Sequence, residues 1–390
     1  MGKNGHMSSS EAALTESAVL DVLSTVVDPE LRRSIVELGQ VDEVAVAGDA
    51  VRLLILTTTP NCPLQAGFDA EIREKLAAIG AVDIQLEFHP MDDEEQRVLR
   101  LKLIGDPAST AGSQQAHGHA EGRSIPFSDP AVKTRVLLIA SGKGGVGKSS
   151  VTTNLAVAMA RRGKRVAIVD ADVWGFSIPK MIGVTRPPRL IDQMIVPPVA
   201  NGVSVMSMGF FAEENQAVIW RGPMLHKALE QFLTDVFWDE PDYLLIDLPP
   251  GTGDISISLA QFLPRAEMYV VTTPNSASQR VAQRAAAMGH KVNLPVRGVI
   301  ENMSWFTGDD GKRYELFGEG GGKRLAEDIE VPLLGQIPLV PLVREGGDKG
   351  HPIVTVEPEG EAAEAFAALA ERIDVELAPT RRFNPELRIN

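Results

Sequence analysis

The stretch SGKGGVGKSS at 141–150 constrains this chain more than any other, because it follows the apolar run RVLLIA and opens a segment of helical character. From Gly142 to Ser149 the order is glycine, four residues, glycine, lysine, serine, the spacing of a phosphate-binding loop. Gly142, Gly144, Gly145 and Gly147 let the backbone around Val146 wrap an anion with its N–H groups inward, where side chains would block the approach. A helix beginning near Lys148 and running into Ser150 adds the positive end of its dipole. On this spacing Lys148 reaches the β- and γ-phosphates and the Ser149 hydroxyl meets magnesium, so ATP and Mg2+ are the expected ligands.

From Lys133 onward the pattern repeats strand, turn and helix, with RVLLIA, RVAIVD, VSVMSM, YLLIDLP, MYVVTTP and VRGVIEN as the strands. Strands apolar on successive residues are buried on both faces, which predicts an α/β fold with a doubly wound, mostly parallel sheet. RVAIVDADVW sets Asp170 and Asp172 at the carboxyl edge of that sheet, beside the phosphates, and YLLIDLPPGTGD sets Asp247 at the end of another strand. Carboxylates there hold a magnesium shell or orient an attacking water.

Ahead of this lies a small α+β domain over 12–104: a helix in ESAVLDVLSTVV, strands in VDEVAVA and VRLLILTTT, a helix after Pro63, then strand character in VDIQLEFH and VLRLKLI. Residues 105–130 have almost no large apolar side chains and read as a flexible linker, in which His117 and His119 are solvated. The larger domain spans 131–376 and a tail 377–390. The 38 Lys and Arg against 52 Asp and Glu give a net charge of −14, which argues against nucleic acid as a partner. No run approaches a membrane span and the amino terminus lacks a signal's apolar core, so the expected compartment is the cytoplasm and no membrane partner is expected. One cysteine, Cys62, excludes an intramolecular disulfide and any site needing two cysteines from one chain. It sits just before Pro63, where a helix start would favour thiolate.

Lys143, ahead of Gly144 and Gly145, resembles the early lysine of the deviant Walker A ATPases. That resemblance implies a homodimer closed around ATP, with Lys143 reaching the partner's nucleotide, Lys148 and Asp172 catalytic, Asp170 and Asp247 on magnesium, Gly251 and Asp254 in a switch, and Asn302 on adenine. The segments VIWRGPMLHKALEQFLTDVFW, RGVIENMSWF, LFGEGGG and PLLGQIPLVPLVREGGDKGHPIV resemble the Mrp/ApbC iron-sulfur cluster carrier ATPases, over most of 130–375. DPELRRSIVELGQV followed by LTTTPNCPL resembles the SufT/PaaD-type metal-sulfur cluster assembly domain. These resemblances imply slow ATP hydrolysis, an iron-sulfur cluster as cargo and apoprotein acceptors as partners. The chain departs from the carriers in SWFTGDDGKRYELFG, where their C-x-x-C is missing. Cys62 is then the candidate cluster-linked thiol, with Asp309, Asp310 or His89 as alternative ligands and Asp309–Asp310 also readable as a turn before Gly311. The competing expectation is a MinD- or ParA-like positioning ATPase, which needs a basic or amphipathic surface.

Overall fold

A computed structural model describes residues 14–60, 62–105, 125–211, 222–251, 254–377 and 379. His117 and His119, most of the expected linker and nearly all of the tail lie outside the described residues. The chain forms two compact units, one of residues up to 112 together with Arg189–Met194, the other of Ser113–Pro188 and Ile195–Asn390.

In the first unit, α1 (Glu16–Leu23) starts on Thr15, whose side chain accepts the Ala18 N–H. It is followed by the short strands β1 (Val27–Asp28) and β2 (Arg33–Ser34) and by α2 (Ile35–Leu38). β3 (Val41–Ala47) and β4 (Ala50–Thr57) form an antiparallel hairpin, and β5 (Asp83–Pro90) returns parallel to β4 after α3 (Gln65–Ala78). Phe68, Ile72 and Leu76, one helical turn apart, press α3 onto Val51, Leu53 and Ile55 of β4 together with Val19 and Leu23 of α1. The run VLRLKLI is helical, within α4 (Asp93–Ile104), rather than the expected strand. Its alternation is overridden at the start: Asp92 and Glu95 form a reciprocal capping box, and Asp93, Glu94 and Glu95 fill the first turn where the helix dipole favours them.

The second unit opens with β6 (Arg135–Ser141), α5 (Lys148–Arg161), β7 (Val166–Asp170) and α6 (Ile178–Ile182). Next come β8 (Arg189–Ile191), which belongs to the first unit, β9 (Met194–Val196), β10 (Val199–Ala200), β11 (Val203–Ser207) and α7 (Gly222–Thr234). The chain continues through β12 (Tyr243–Asp247), α8 (Asp254–Phe262), β13 (Glu267–Thr272), α9 (Ser276–Lys291) and β14 (Val296–Asn302). A small hairpin of β15 (Phe306–Thr307) and β16 (Arg313–Tyr314) precedes α10 (Gly321–Asp328) and β17 (Leu333–Ile337). Last come α11 (Pro341–Lys349), α12 (Ile353–Val356) and α13 (Glu361–Glu371).

The eight-stranded sheet has the order β10-β11-β7-β12-β6-β13-β14-β17, and every pairing except β10 with β11 is parallel. β6 shows why its sequence is apolar throughout. Val136, Leu138 and Ala140 face one core with Leu229 and Phe232 of α7 and Leu259 and Phe262 of α8, while Leu137 and Ile139 face the other with Leu155 of α5 and Phe366 of α13. Both faces are covered by helices, so the polar functional groups collect where the strands end.

Candidate nucleotide site

β6 ends at Ser141, and α5 starts seven residues later at Lys148 with Gly147 as its N-cap at φ +77°. Gly145 also lies at positive φ, +78°. The glycines do different jobs. A Cβ on Gly142 would lie 2.3 Å from the Val281 carbonyl carbon, and one on Gly147 would lie 2.2 Å from Asn302 Nδ2, so both are packed against protein. A Cβ on Gly145 would meet nothing within 4 Å, and one on Gly144 would only reach Pro250 at 4.0 Å, so the space before these two is open. No side chain of the protein therefore blocks the backbone of these two residues, which is what the approach of an anion requires.

Lys148, buried to 6% exposure, donates from Nζ to Asp247 Oδ2 at 2.6 Å. Ser149 Oγ donates to the same oxygen at 2.6 Å, and Thr152 Oγ1 donates to Asp247 Oδ1 at 2.6 Å. The completely buried Asp247 thus gathers the loop lysine, the candidate magnesium serine and a threonine one helical turn further on. Thr152 was not among the expected residues, although its i+4 spacing from Lys148 puts it on the same helix face.

Asp170 lies directly opposite Asp247 in the β7–β12 register. Its Oδ2 accepts from the backbone N–H groups of Ser177 and Ile178 at 3.1 and 3.2 Å and from Ser207 Oγ at 3.1 Å. Burial, and then the neighbouring Asp247 charge, push its carboxyl up to about 7 despite those hydrogen bonds. Asp172 Oδ1 accepts the N–H groups of Trp174 and Gly175 at 3.2 and 3.1 Å, which folds the segment after β7 into a tight turn. Asn302, at the end of β14, donates from Nδ2 to the Val146 carbonyl at 2.9 Å and so braces the loop from behind. Lys143 is exposed and its side chain has no hydrogen bond or ion pair among the described residues. Gly251, at φ +96°, donates its N–H to the Ser141 carbonyl at 2.9 Å, and Asp254 begins α8.

Oxygen donors on Ser149, Asp170 and Asp247 beside an open glycine cradle fit a hard dication that keeps several of its waters. Among the described residues no group of three or more His, Cys, Asp or Glu is arranged to hold a metal by itself.

Cys62 belongs to the first unit, whereas the loop belongs to the second. The helix after it begins at Gln65 with Leu64 as N-cap, so the thiol is not at the helix terminus; its carbonyl accepts the Gln65 N–H at 3.0 Å. The cation it faces is Arg189, whose Nη1 is 3.9 Å from Sγ. Of the alternative ligands, His89 is exposed on β5, and Asp310 is engaged in its own turn with the Lys312 N–H at 3.1 Å and the Tyr314 hydroxyl at 2.9 Å.

A glycine-rich loop after a strand, a lysine and serine opening the next helix, and acids at adjacent strand ends define a P-loop protein. The chain belongs to the NUBPL iron-transfer P-loop NTPase family, which matches residues 132–374, and residues 16–85 match the iron-sulfur cluster assembly protein family. It is 46% identical over 351 residues to an iron-sulfur cluster carrier protein of Mycobacterium leprae, covering 88% of each chain. It is 42% identical over 384 residues to that of Mycobacterium tuberculosis, covering 94% of this chain and 97% of the relative. A nucleotide-binding protein of Archaeoglobus fulgidus solved with ADP shares 33% identity at a TM-score of 0.53, over 62% of this chain and 97% of that one.

Proposed function

We propose that this protein binds ATP with magnesium, hydrolyses it slowly as a homodimer, and binds iron-sulfur clusters for transfer to apoproteins. The observation that carries the nucleotide half is the convergence of Lys148, Ser149 and Thr152 on Asp247 beside the open Gly144–Gly145 cradle. The carrier half rests on membership of the iron-transfer family and on the names of its relatives.

In this reading Lys148 would exchange Asp247 for the β- and γ-phosphates, and Ser149, Asp170 and Asp247 would hold a magnesium ion, which would supply neutralisation of phosphate charge. Asp172 orients the attacking water and Lys143, free at the surface, reaches the partner's nucleotide. Asn302 keeps the loop in shape from behind and contacts the adenine side. Positioning and charge stabilisation of this kind suffice for a slow hydrolase.

Cys62 is the thiol that holds the cargo. A four-iron cluster ordinarily takes four thiolates, whereas a dimer of this chain brings two, so the remaining ligands would have to come from groups other than cysteine or from outside the chain. Anaerobic reconstitution with iron and sulfide, followed by incubation with an apo-acceptor, tests the carrier reading. Cluster uptake and activation of the acceptor are expected; failure of both removes the carrier role while leaving nucleotide binding to stand on its own assay.

A further inference from the structure

The run ENMS at 301–304 carries the chain out of β14, and its third residue has a strained backbone: Met303 lies at φ +57°, in the left-handed region. There the Cβ crowds the carbonyl oxygen that follows, so a residue with a side chain stays only where its neighbours hold it. Those neighbours are Glu301 and Ser304, and they are bonded across the turn. Ser304 Oγ donates to the Glu301 carbonyl oxygen and to Glu301 Oε1, each at 3.0 Å, while the Ser304 N–H donates to the Ile337 carbonyl at 2.9 Å.

Glu301 is 1% exposed, and both its carboxylate oxygens accept. Besides Ser304, Oε1 accepts from Gln336 Nε2 at 2.7 Å, and Oε2 accepts the N–H of Gly322 in the first turn of α10. Gly320 stands at the N-cap of that helix without a side-chain cap, so the carboxylate satisfies from outside an N–H group that the helix leaves over. Gly322 permits the approach, since a Cβ on it would lie 2.7 Å from Glu301 Cβ. One side chain thus clamps the ends of β14 and β17 to the start of α10.

What the clamp holds out is Asn302. Its Nδ2 donates to the Val146 carbonyl at 2.9 Å, so close behind the loop that Gly147 has no room for a Cβ. Asp170 and Asp247, the other acids buried at this edge of the sheet, belong to the magnesium reading, whereas Glu301 is given over to the turn.

We infer that Glu301 is a positioning residue for the phosphate loop: with Ser304 and Gln336 it holds the left-handed turn at Met303, and through that turn it keeps Asn302 against the Val146 carbonyl. Its effect on ATP rests on the nucleotide half of the proposed function; its effect on the loop does not.

The test begins with the full-length protein free of nucleotide. Hydrogen exchange is followed in peptides covering residues 147–152, where the Val151 N–H donates to the Gly147 carbonyl at 2.9 Å, with β7 of the same unit as the control. Glu301→Met removes every acceptor at nearly the same length and is expected to speed exchange in the loop peptides about tenfold and in β7 little. Ser304→Ala, a milder cut of the same clamp, is expected to move the same peptides less, and Glu301→Gln, which keeps an oxygen for the Gly322 N–H, to retain most of the protection. Calorimetric titration then gives ATP affinity at a temperature where every variant is folded. Glu301→Met and Asn302→Ala are each expected to weaken ATP about tenfold, and their combination also about tenfold, because the first acts through the second. Unchanged loop exchange in both Glu301→Met and Ser304→Ala, equal acceleration in the loop and in β7, or losses that multiply to about a hundredfold overturn the assignment. A wild type that does not bind ATP overturns the nucleotide reading instead, and the exchange still decides the clamp.

Discussion

Lys148 Nζ and Asp247 Oδ2 are 2.6 Å apart, with both side chains almost completely buried. The pair joins the residue expected to bind phosphate to the residue expected to bind magnesium, so each keeps the other's charge satisfied. Removing one partner strands the other in a low-dielectric interior, at a cost of about 3–5 kcal/mol. Lys148→Ala is therefore expected to lose ATP affinity about 10- to 100-fold and to lower the melting temperature of the nucleotide-free protein. The double variant Lys148→Ala with Asp247→Asn is expected to recover much of the stability and none of the affinity. Calorimetric titration and thermal melts separate the two effects.

The two positive-φ glycines of the loop should respond differently to alanine. Gly147→Ala places a Cβ onto Asn302 Nδ2 in a backbone already unfavourable for L residues, so stability and ATP binding fall together. Gly145→Ala meets no protein atom and incurs only the backbone penalty of about 1–2 kcal/mol, yet its methyl projects into the open cradle. ATP binding is expected to fall in Gly145→Ala far more than chemical-denaturation stability does, and the ratio of the two losses is the measurement.

Asp170 gives a pH dependence with a defined sign. Its carboxyl is pushed up to about 7 from 3.8, so the folded protein holds a proton there that the unfolded chain has released. Stability from this group is present below about pH 4 and declines as pH rises to about 7, a difference of about 4 kcal/mol at most. Asp170→Asn removes that decline: relative to wild type, the nucleotide-free variant is expected to melt several degrees higher at about pH 8 and nearly equally at about pH 4. Magnesium-dependent ATP binding by the wild type is expected to weaken as pH falls below about 7, because a protonated carboxyl is a poor ligand for the ion. Equal melting differences at both pH values would contradict this account.

What the sequence made legible follows the range of the interactions. Strand, loop and helix at 135–161 could be read because periodicity and glycine spacing are local, and so could the placing of Asp170 and Asp247 at strand ends. The helix over VLRLKLI is masked in the sequence by two-residue alternation, which says nothing of the capping box a few residues upstream. Thr152 was missed because a threonine inside a helix carries no signal until a buried carboxylate is found opposite it. Arg189 was invisible for a stronger reason: nothing in PPRLIDQM says that its arginine will meet a cysteine 127 residues earlier.

Lys143 offers the cleanest separation of folding from function. It is exposed, without a side-chain partner among the described residues, whereas Lys148 five residues on is buried and paired. An exposed side chain without partners contributes within about 0.5 kcal/mol to stability, so Lys143→Ala is expected to melt like the wild type. It should also bind ATP with near-normal Kd, since the cradle, Lys148 and the acids are all intact. If Lys143 reaches the partner's nucleotide, the loss appears only where two subunits meet: ATP-dependent dimerisation by light scattering and phosphate release should both fall at least tenfold. Normal turnover in a monodisperse, ATP-bound Lys143→Ala protein would remove the two-subunit site and leave a P-loop protein that works one chain at a time.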